Sequence, residues 1–218
     1  RKQSSQRSRR LRIPPLSKRL ILASASPRRR QLLKLLGVRF SVVVSQFDED
    51  SLKHLTDPAD YVQRAAEGKA YEVARRRAGV ILGVDTDVVG PDGRVLGKPK
   101  DAEDAHKMLA YLSGQTHSVF TAVTLVESEG KTGGIVHQET HLVHTRVTFA
   151  ALTDEAIGAY VATGDPLDKA GSYGFQGAAL AFIARIDGDP SSVIGLPLAP
   201  VADLLRSRGV PLWNSLPK

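Results

Sequence analysis

The chain has 218 residues, enough to bury a sizeable core, and 42% of them are hydrophobic against 24% charged, the balance of a globular protein. It contains no cysteine, which excludes disulfides, thiolate catalysis and zinc ribbons and fits a reducing, cytoplasmic setting; no apolar run approaches a membrane span. The net charge of +7 sits at one end, because residues 1–19 hold eight Lys or Arg and no acid, and the rest carries −1. Residues 1–18 therefore read as a disordered basic tail or part of a leader, a nucleic-acid or membrane-surface arm being the alternative. Residues 19–218 read as the folded domain, with no nucleic-acid footprint outside the tail.

In chain order, a strand is expected from Arg19 to Ala23. It leads to a helix capped by Ser26, with Pro27 in its first position, Leu32, Leu33, Leu35 and Leu36 as its buried stripe, and Gly37 as its stop. Arg28, Arg29 and Arg30 fall in the first turn. That end of a helix already carries partial positive charge and free N–H donors, so the three cations either fan into solvent or hold an anion such as a phosphate chain. Arg39 to Val44 reads as a second strand, followed by the acidic loop Asp48-Glu49-Asp50. A long helix starts at Pro58 under an Asp57 cap and is expected to run to Gly79. Gly68 in its middle costs about 1 kcal/mol against Ala, which marks a close backbone approach.

Val80 to Val89 is the most strand-like segment and carries Asp85, Thr86 and Asp87. Pro91-Asp92-Gly93 turns the chain into a short hairpin ending at Leu96. Asp101 caps a helix that Gly114 ends, and two long strands, His117 to Glu127 and Val136 to Phe149, flank a Gly-rich turn. Another helix begins at Thr153-Asp154-Glu155 and stops at Gly164. The polar, Gly-rich stretch from Asp165 to Gly177 reads as a binding loop without secondary structure. A strand from Leu180 to Ile186 and a helix from Pro197 to about Arg208 complete the pattern.

Several motifs fail on spacing. Gly93-Arg94-Val95-Leu96-Gly97-Lys98 is too short for a phosphate-binding P-loop, and Gly171, Gly174 and Gly177 lack the close pair of a dinucleotide fingerprint. His137-Gln138-Glu139-Thr140-His141 misplaces the acid of a zinc-protease helix. What survives is a set of carboxylates and cations at element ends. Asp85 is costly inside an apolar strand unless paired, hydrogen-bonded or metal-bound; Glu49 and Asp87 are candidates to join it around magnesium or manganese, and an arginine partner is the other reading. Lys98 and Lys169 offer further cations.

Leu22-Ala23-Ser24-Ala25-Ser26-Pro27-Arg28-Arg29, Asp85-Thr86, Gly97-Lys98-Pro99-Lys100-Asp101-Ala102, Leu112-Ser113-Gly114-Gln115-Thr116-His117, Asp168-Lys169-Ala170-Gly171 and Gly195-Leu196-Pro197-Leu198 occur in an order that resembles the Maf family of nucleoside triphosphate pyrophosphatases. The resemblance implies a mixed α/β fold of the inosine-triphosphate-pyrophosphatase kind, an elongated mixed sheet flanked by helices with a cleft between two lobes, and a homodimer. It implies hydrolysis of a nucleoside triphosphate to the monophosphate and pyrophosphate, with a divalent cation, magnesium or manganese. Carried over by position, Asp85 is the proton acceptor, Arg28, Thr86 and Gln176 set substrate preference, and Ser24, Arg29, Lys69, Lys98 and Lys169 support the phosphates, with Glu49 and Asp85 as metal ligands. Tyr173-Gly174-Phe175-Gln176-Gly177 resembles the branch acting on dTTP and UTP; the 7-methyl-GTP branch and a non-catalytic, nucleotide-binding division regulator are the alternatives. The chain departs from the pattern with Val84 for an alanine, Asp87 for an apolar residue, and Pro190-Ser191-Ser192 for Tyr-Ser-Asn.

Overall fold

The computed structural model describes residues 19–130 and 134–213; the basic tail and part of the Gly-rich turn lie outside the described residues. The chain runs through β1 (Leu20–Leu22), α1 (Pro27–Leu35), β2 (Phe40–Val42), α2 (Pro58–Ala74), β3 (Ala78–Val89), β4 (Val95–Leu96), α3 (Ala102–Leu112), β5 (Thr116–Glu129), β6 (Ile135–Phe149), α4 (Asp154–Ala162), β7 (Ile183–Asp187), α5 (Pro190–Ile194) and α6 (Leu198–Ser207). Among the described residues the strands form one mixed sheet in the order β2-β1-β3-β5-β6-β7, with β4 hung on the end of β3. β1 runs parallel to both of its neighbours, and β3, β5, β6 and β7 are antiparallel. This is the mixed α/β sheet flanked by helices that the sequence implies.

Alternation along β3 divides its side chains between two layers. Val80, Leu82 and Val84 join a core with α1 and α6, and Val88 joins a second core with α3, α4, Phe149 and Tyr173. Thr86 lies between the two, on the same face. The opposite face receives α2, where Ile81 meets Ala70 and Val73. A methyl group on Gly83 would lie 2.2 Å from the carbonyl oxygen of Ala66, so α2 lies almost directly on the β3 backbone.

Several expectations need correction, among them Leu35, which is 58% exposed and does not belong to the buried stripe of α1. α2 ends at Ala74, where the Arg75 N–H donates to the Tyr71 carbonyl, and not at Gly79. Gly79 lies inside β3 with φ +136°, where a Cβ would meet the Arg19 carbonyl at 2.4 Å. The Asp165–Gly177 stretch holds two short 3-10 turns, Asp165–Asp168 and Ala170–Ser172. The strand expected from Leu180 starts only at Ile183, after a 3-10 turn over Ala178–Phe182. Pro190-Ser191-Ser192, a departure from the family pattern that falls where no helix is expected, opens the five-residue α5 under an Asp189 cap that accepts from the Ser191 N–H.

Candidate active site

The site forms where the sheet is interrupted. β1 pairs with β3 only as far as Leu82, and β4 takes up the same edge again at Val88. Between them the β3 backbone has no strand partner on that side, so residues pointing to either face can reach one opening. Two adjoining cavities of about 450 and about 300 Å³ fill the gap and share Arg28, Arg29, Lys69 and Lys98 in their walls. Asp85 and Thr86 both line the smaller one, although they belong to opposite faces of the strand.

Asp85 is 7% exposed, and its partner is Lys69 of α2, not an arginine. The Lys69 ammonium lies 2.6 Å from Asp85 Oδ1 and 3.1 Å from Glu49 Oε1, so one cation joins the strand carboxylate to the acidic loop. Gly68 explains how the loop gets there. The approach it permits is by a side chain rather than a backbone, since a Cβ would lie 2.4 Å from the Phe47 ring, and Phe47 against α2 brings Glu49 to Lys69.

Ser26 caps α1 as expected, accepting from the Arg29 N–H. Of the three arginines, Arg28 and Arg29 line the cavities, while the exposed Arg30 turns back to the Ala25 carbonyl. Arg29 is spent largely on the protein itself. Its Nε donates to the Gly195 carbonyl at 2.9 Å, Nη1 to Ser24 Oγ at 3.3 Å and Nη2 to Thr86 Oγ1 at 3.2 Å. Burial lowers the affinity of this guanidinium for its proton, against the opposing pull of Asp85. Thr86 is further fixed by Thr121, whose hydroxyl lies 3.0 Å away and 2.9 Å from the Ser192 carbonyl.

On the far wall, the Lys169 ammonium donates to the Asp165 carbonyl, to Asp165 Oδ1 at 3.0 Å and to Asp168 Oδ1 at 2.7 Å. Those bonds to Lys169 hold Asp168 below the usual carboxylate range, and the Tyr160 hydroxyl does the same for Asp165. Arg28 reaches Asp168 only at 3.9 Å, and Lys98 is exposed with no ion pair among the described residues. These are the two cations most open to an incoming anion. Gln176 is exposed and outside the cavity walls, which its neighbours Tyr173, Gly174 and Phe175 line instead. Asp87 lines a separate cavity of about 260 Å³ with Tyr61 and Val95. Burial, and next the charge of Asp85, push its carboxyl up to about 7.

Among the described residues no group of three acids or histidines is disposed to hold a metal ion. Glu49 and Asp85 place two carboxylate oxygens on either side of one ammonium, hard donors of the kind that magnesium or manganese takes together with water and phosphate oxygens.

A sequence model of the family described as Maf-like protein matches residues 19–208. The chain belongs to the Maf family. Its Maf relatives include the dTTP/UTP pyrophosphatase of Moorella thermoacetica, 48% identical over 197 residues, which are 90% of this chain and 98% of that protein. The dTTP/UTP pyrophosphatase of Bacillus pumilus is 46% identical, covering 88% of this chain and 97% of its own, and that of Myxococcus xanthus is 46% identical, covering 90% and 96%. Sequence reasoning missed Asp165, Tyr160 and Gly195 as parts of this cleft and its walls. Asp168 is adjacent to Lys169 in sequence and was legible as its partner; the Gly195 contribution is a backbone carbonyl, which leaves no side-chain signal.

Proposed function

We propose that the protein hydrolyses nucleoside triphosphates, dTTP and UTP foremost, to the monophosphate and pyrophosphate. The observation that carries this reading is the buried Asp85 facing Arg28 and Lys98 across one cavity system, together with the dTTP/UTP pyrophosphatase names of relatives nearly half identical over almost their whole length. The triphosphate lies along Arg28 and Lys98, whose charges are least spent within the protein. The nucleoside lies against the apolar wall of Val88, Tyr173, Phe175 and Ile194. Thr86 is held by Arg29 at the junction, and Gln176 contributes from the rim.

In the proposed reaction Asp85 accepts the proton of a water that attacks the α-phosphorus, and pyrophosphate leaves as the phosphoanhydride bond breaks. Lys69 keeps the Asp85 carboxylate oriented, and Ser24 and Arg29 hold the turn that presents Arg28. Glu49 and Asp85 are the ligands for magnesium or manganese, which when bound supplies countercharge to the phosphate oxygens. The same reading includes a cytoplasmic homodimer. Support for the dimer comes from the outer edge of β6, which pairs with β7 only from Arg146 onward and exposes Ile135, Val136 and Leu142. No helix among the described residues is long and apolar enough to cross a membrane.

Pyrophosphate release with magnesium, measured over dTTP, UTP, dCTP and 7-methyl-GTP, tests the assignment. Asp85→Asn is expected to lower kcat at least 100-fold with an unchanged circular dichroism spectrum. Near-normal turnover of that variant removes Asp85 as the base, and saturable binding without product in the wild type removes the enzymatic reading.

A further inference from the structure

The apolar wall of the cavity is made by a segment with little secondary structure of its own. Between Lys169 and Gly177 its backbone bonds are local, apart from the Gly171 N–H to the Gly97 carbonyl at 3.1 Å. Two buried side chains from elsewhere hydrogen-bond to it, and the Ser172 hydroxyl reaches Met108 Sδ at 3.2 Å. Tyr160 of α4 is 4% exposed; its hydroxyl donates to Asp165 Oδ2 at 2.6 Å and accepts from the Gly174 N–H at 3.2 Å. One phenol thus ties the turn at Asp165, just before the segment, to the segment's middle. The other oxygen of the same Asp165 carboxylate takes the Lys169 ammonium, so the phenol and the lysine are fixed through one group. The fit is close, since a Cβ on Gly174 would lie 2.7 Å from Lys169 Cε.

The second tie is His117 at the start of β5, 2% exposed, with Nε2 2.8 Å from the Tyr173 hydroxyl. Phe149 packs edge-on against both rings, with centroids 5.0 Å from each. Burial holds the imidazole neutral at pH 7, its pKa lowered to about 4, and Nδ1 has no hydrogen-bond partner among the described residues. With Nδ1 unpartnered, Nε2 makes the hydrogen bond of this buried imidazole among the described residues. That bond anchors Tyr173, which lines the cavity.

We propose that Tyr160 and His117 are positioning residues, which set the substrate-binding wall Tyr173-Gly174-Phe175 and Lys169 through buried hydrogen bonds without touching substrate. The inference rests on the proposed function for its kinetic consequence. That consequence is specific: a wall that grips the nucleoside equally in ground and transition state affects KM and leaves kcat alone.

Tyr160→Phe keeps the ring against Phe182 and removes only the hydroxyl. The expected result is a KM for dTTP raised about tenfold, the effect of one buried hydrogen bond, with kcat within about twofold. Amide hydrogen exchange over residues 171–177 speeds up at the same time. Tyr173→Phe and His117→Leu are expected to act alike on KM and exchange, the double variant is no worse than either, and His117→Gln, whose amide can reach the phenol, recovers part of the loss. Unchanged exchange in Tyr160→Phe and Tyr173→Phe overturns the proposal, as does faster exchange with KM unmoved, or a fall in kcat alone. If the wild type releases no pyrophosphate, the proposed function fails separately. Exchange and the calorimetric Kd for dTTP then decide this inference, an unchanged Kd in Tyr160→Phe overturning it.

Discussion

Arg29 shows why residue type, and not charge alone, matters in this cleft. Its three nitrogens reach a carbonyl before α6, a hydroxyl after β1 and a hydroxyl on β3, so one planar fork ties the turn before α6 to β1 and β3 just beyond the point where those two strands stop pairing. A lysine carries the same charge on a flexible stem and a single nitrogen, which cannot span those directions. Arg29→Lys is therefore expected to cost about 2–4 kcal/mol in urea unfolding, the sum of one or two charge-assisted hydrogen bonds, and to lower turnover because Thr86 is left held by Thr121 alone. A stability within about 0.5 kcal/mol of wild type would show that Arg29 serves only an incoming anion. Asp85 and Lys69 follow the same logic, since a carboxylate buried to 7% exposure persists because the ammonium 2.6 Å away offsets its desolvation.

Between elements, the spacing of α2 on β3 decides whether the acidic loop reaches Lys69. Gly68 and Gly83 remove the two side chains that would hold the helix off, one against the Phe47 ring and one against the helix backbone. Gly68→Ala improves helix propensity by about 1 kcal/mol but places a methyl in the Phe47 ring. The expected outcome is near-wild-type stability with Glu49 displaced, read as a several-fold rise in the magnesium concentration needed for half-maximal pyrophosphate release. An unchanged magnesium requirement would detach Glu49 from the metal. This apposition also shows what a one-dimensional reading can reach. Caps, turns and alternation are local, so Ser26, Asp57, Asp101 and the long strand around Asp85 were legible, as was an oddity at Gly68. Which group would meet Gly68, and that Lys69 rather than an arginine would meet Asp85, depend on contacts between segments 16 or more residues apart, where no periodicity speaks. Helix α5 was missed because five residues give no periodic stripe, and the wall segment because its hydrogen bonds to Tyr160 and His117 run to other elements.

Over the whole molecule, one sheet carries two cores on the same face, and the cleft opens on the uncovered stretch of β3 between them. His117 lies in the second core, so the integrity of that half is linked to pH. Its pKa falls from 6.5 in the unfolded chain to about 4 in the folded one, by burial. Between these values the unfolded chain binds the proton and the folded one does not, so stability falls as pH drops from about 6.5 toward 4 and is fully present above 6.5. A shift of this size is worth roughly 3 kcal/mol at the acid end. Urea unfolding of the wild type and His117→Gln at pH 7.5 and pH 4.5 isolates the contribution from the carboxylates, which titrate in both proteins. The difference in stability between the two pH values is expected to be smaller in the variant by about 2.5 kcal/mol, since pH 4.5 still lies above the folded pKa. Equal pH sensitivity in the two proteins would mean that the imidazole is hydrated in solution and that the second core opens without it.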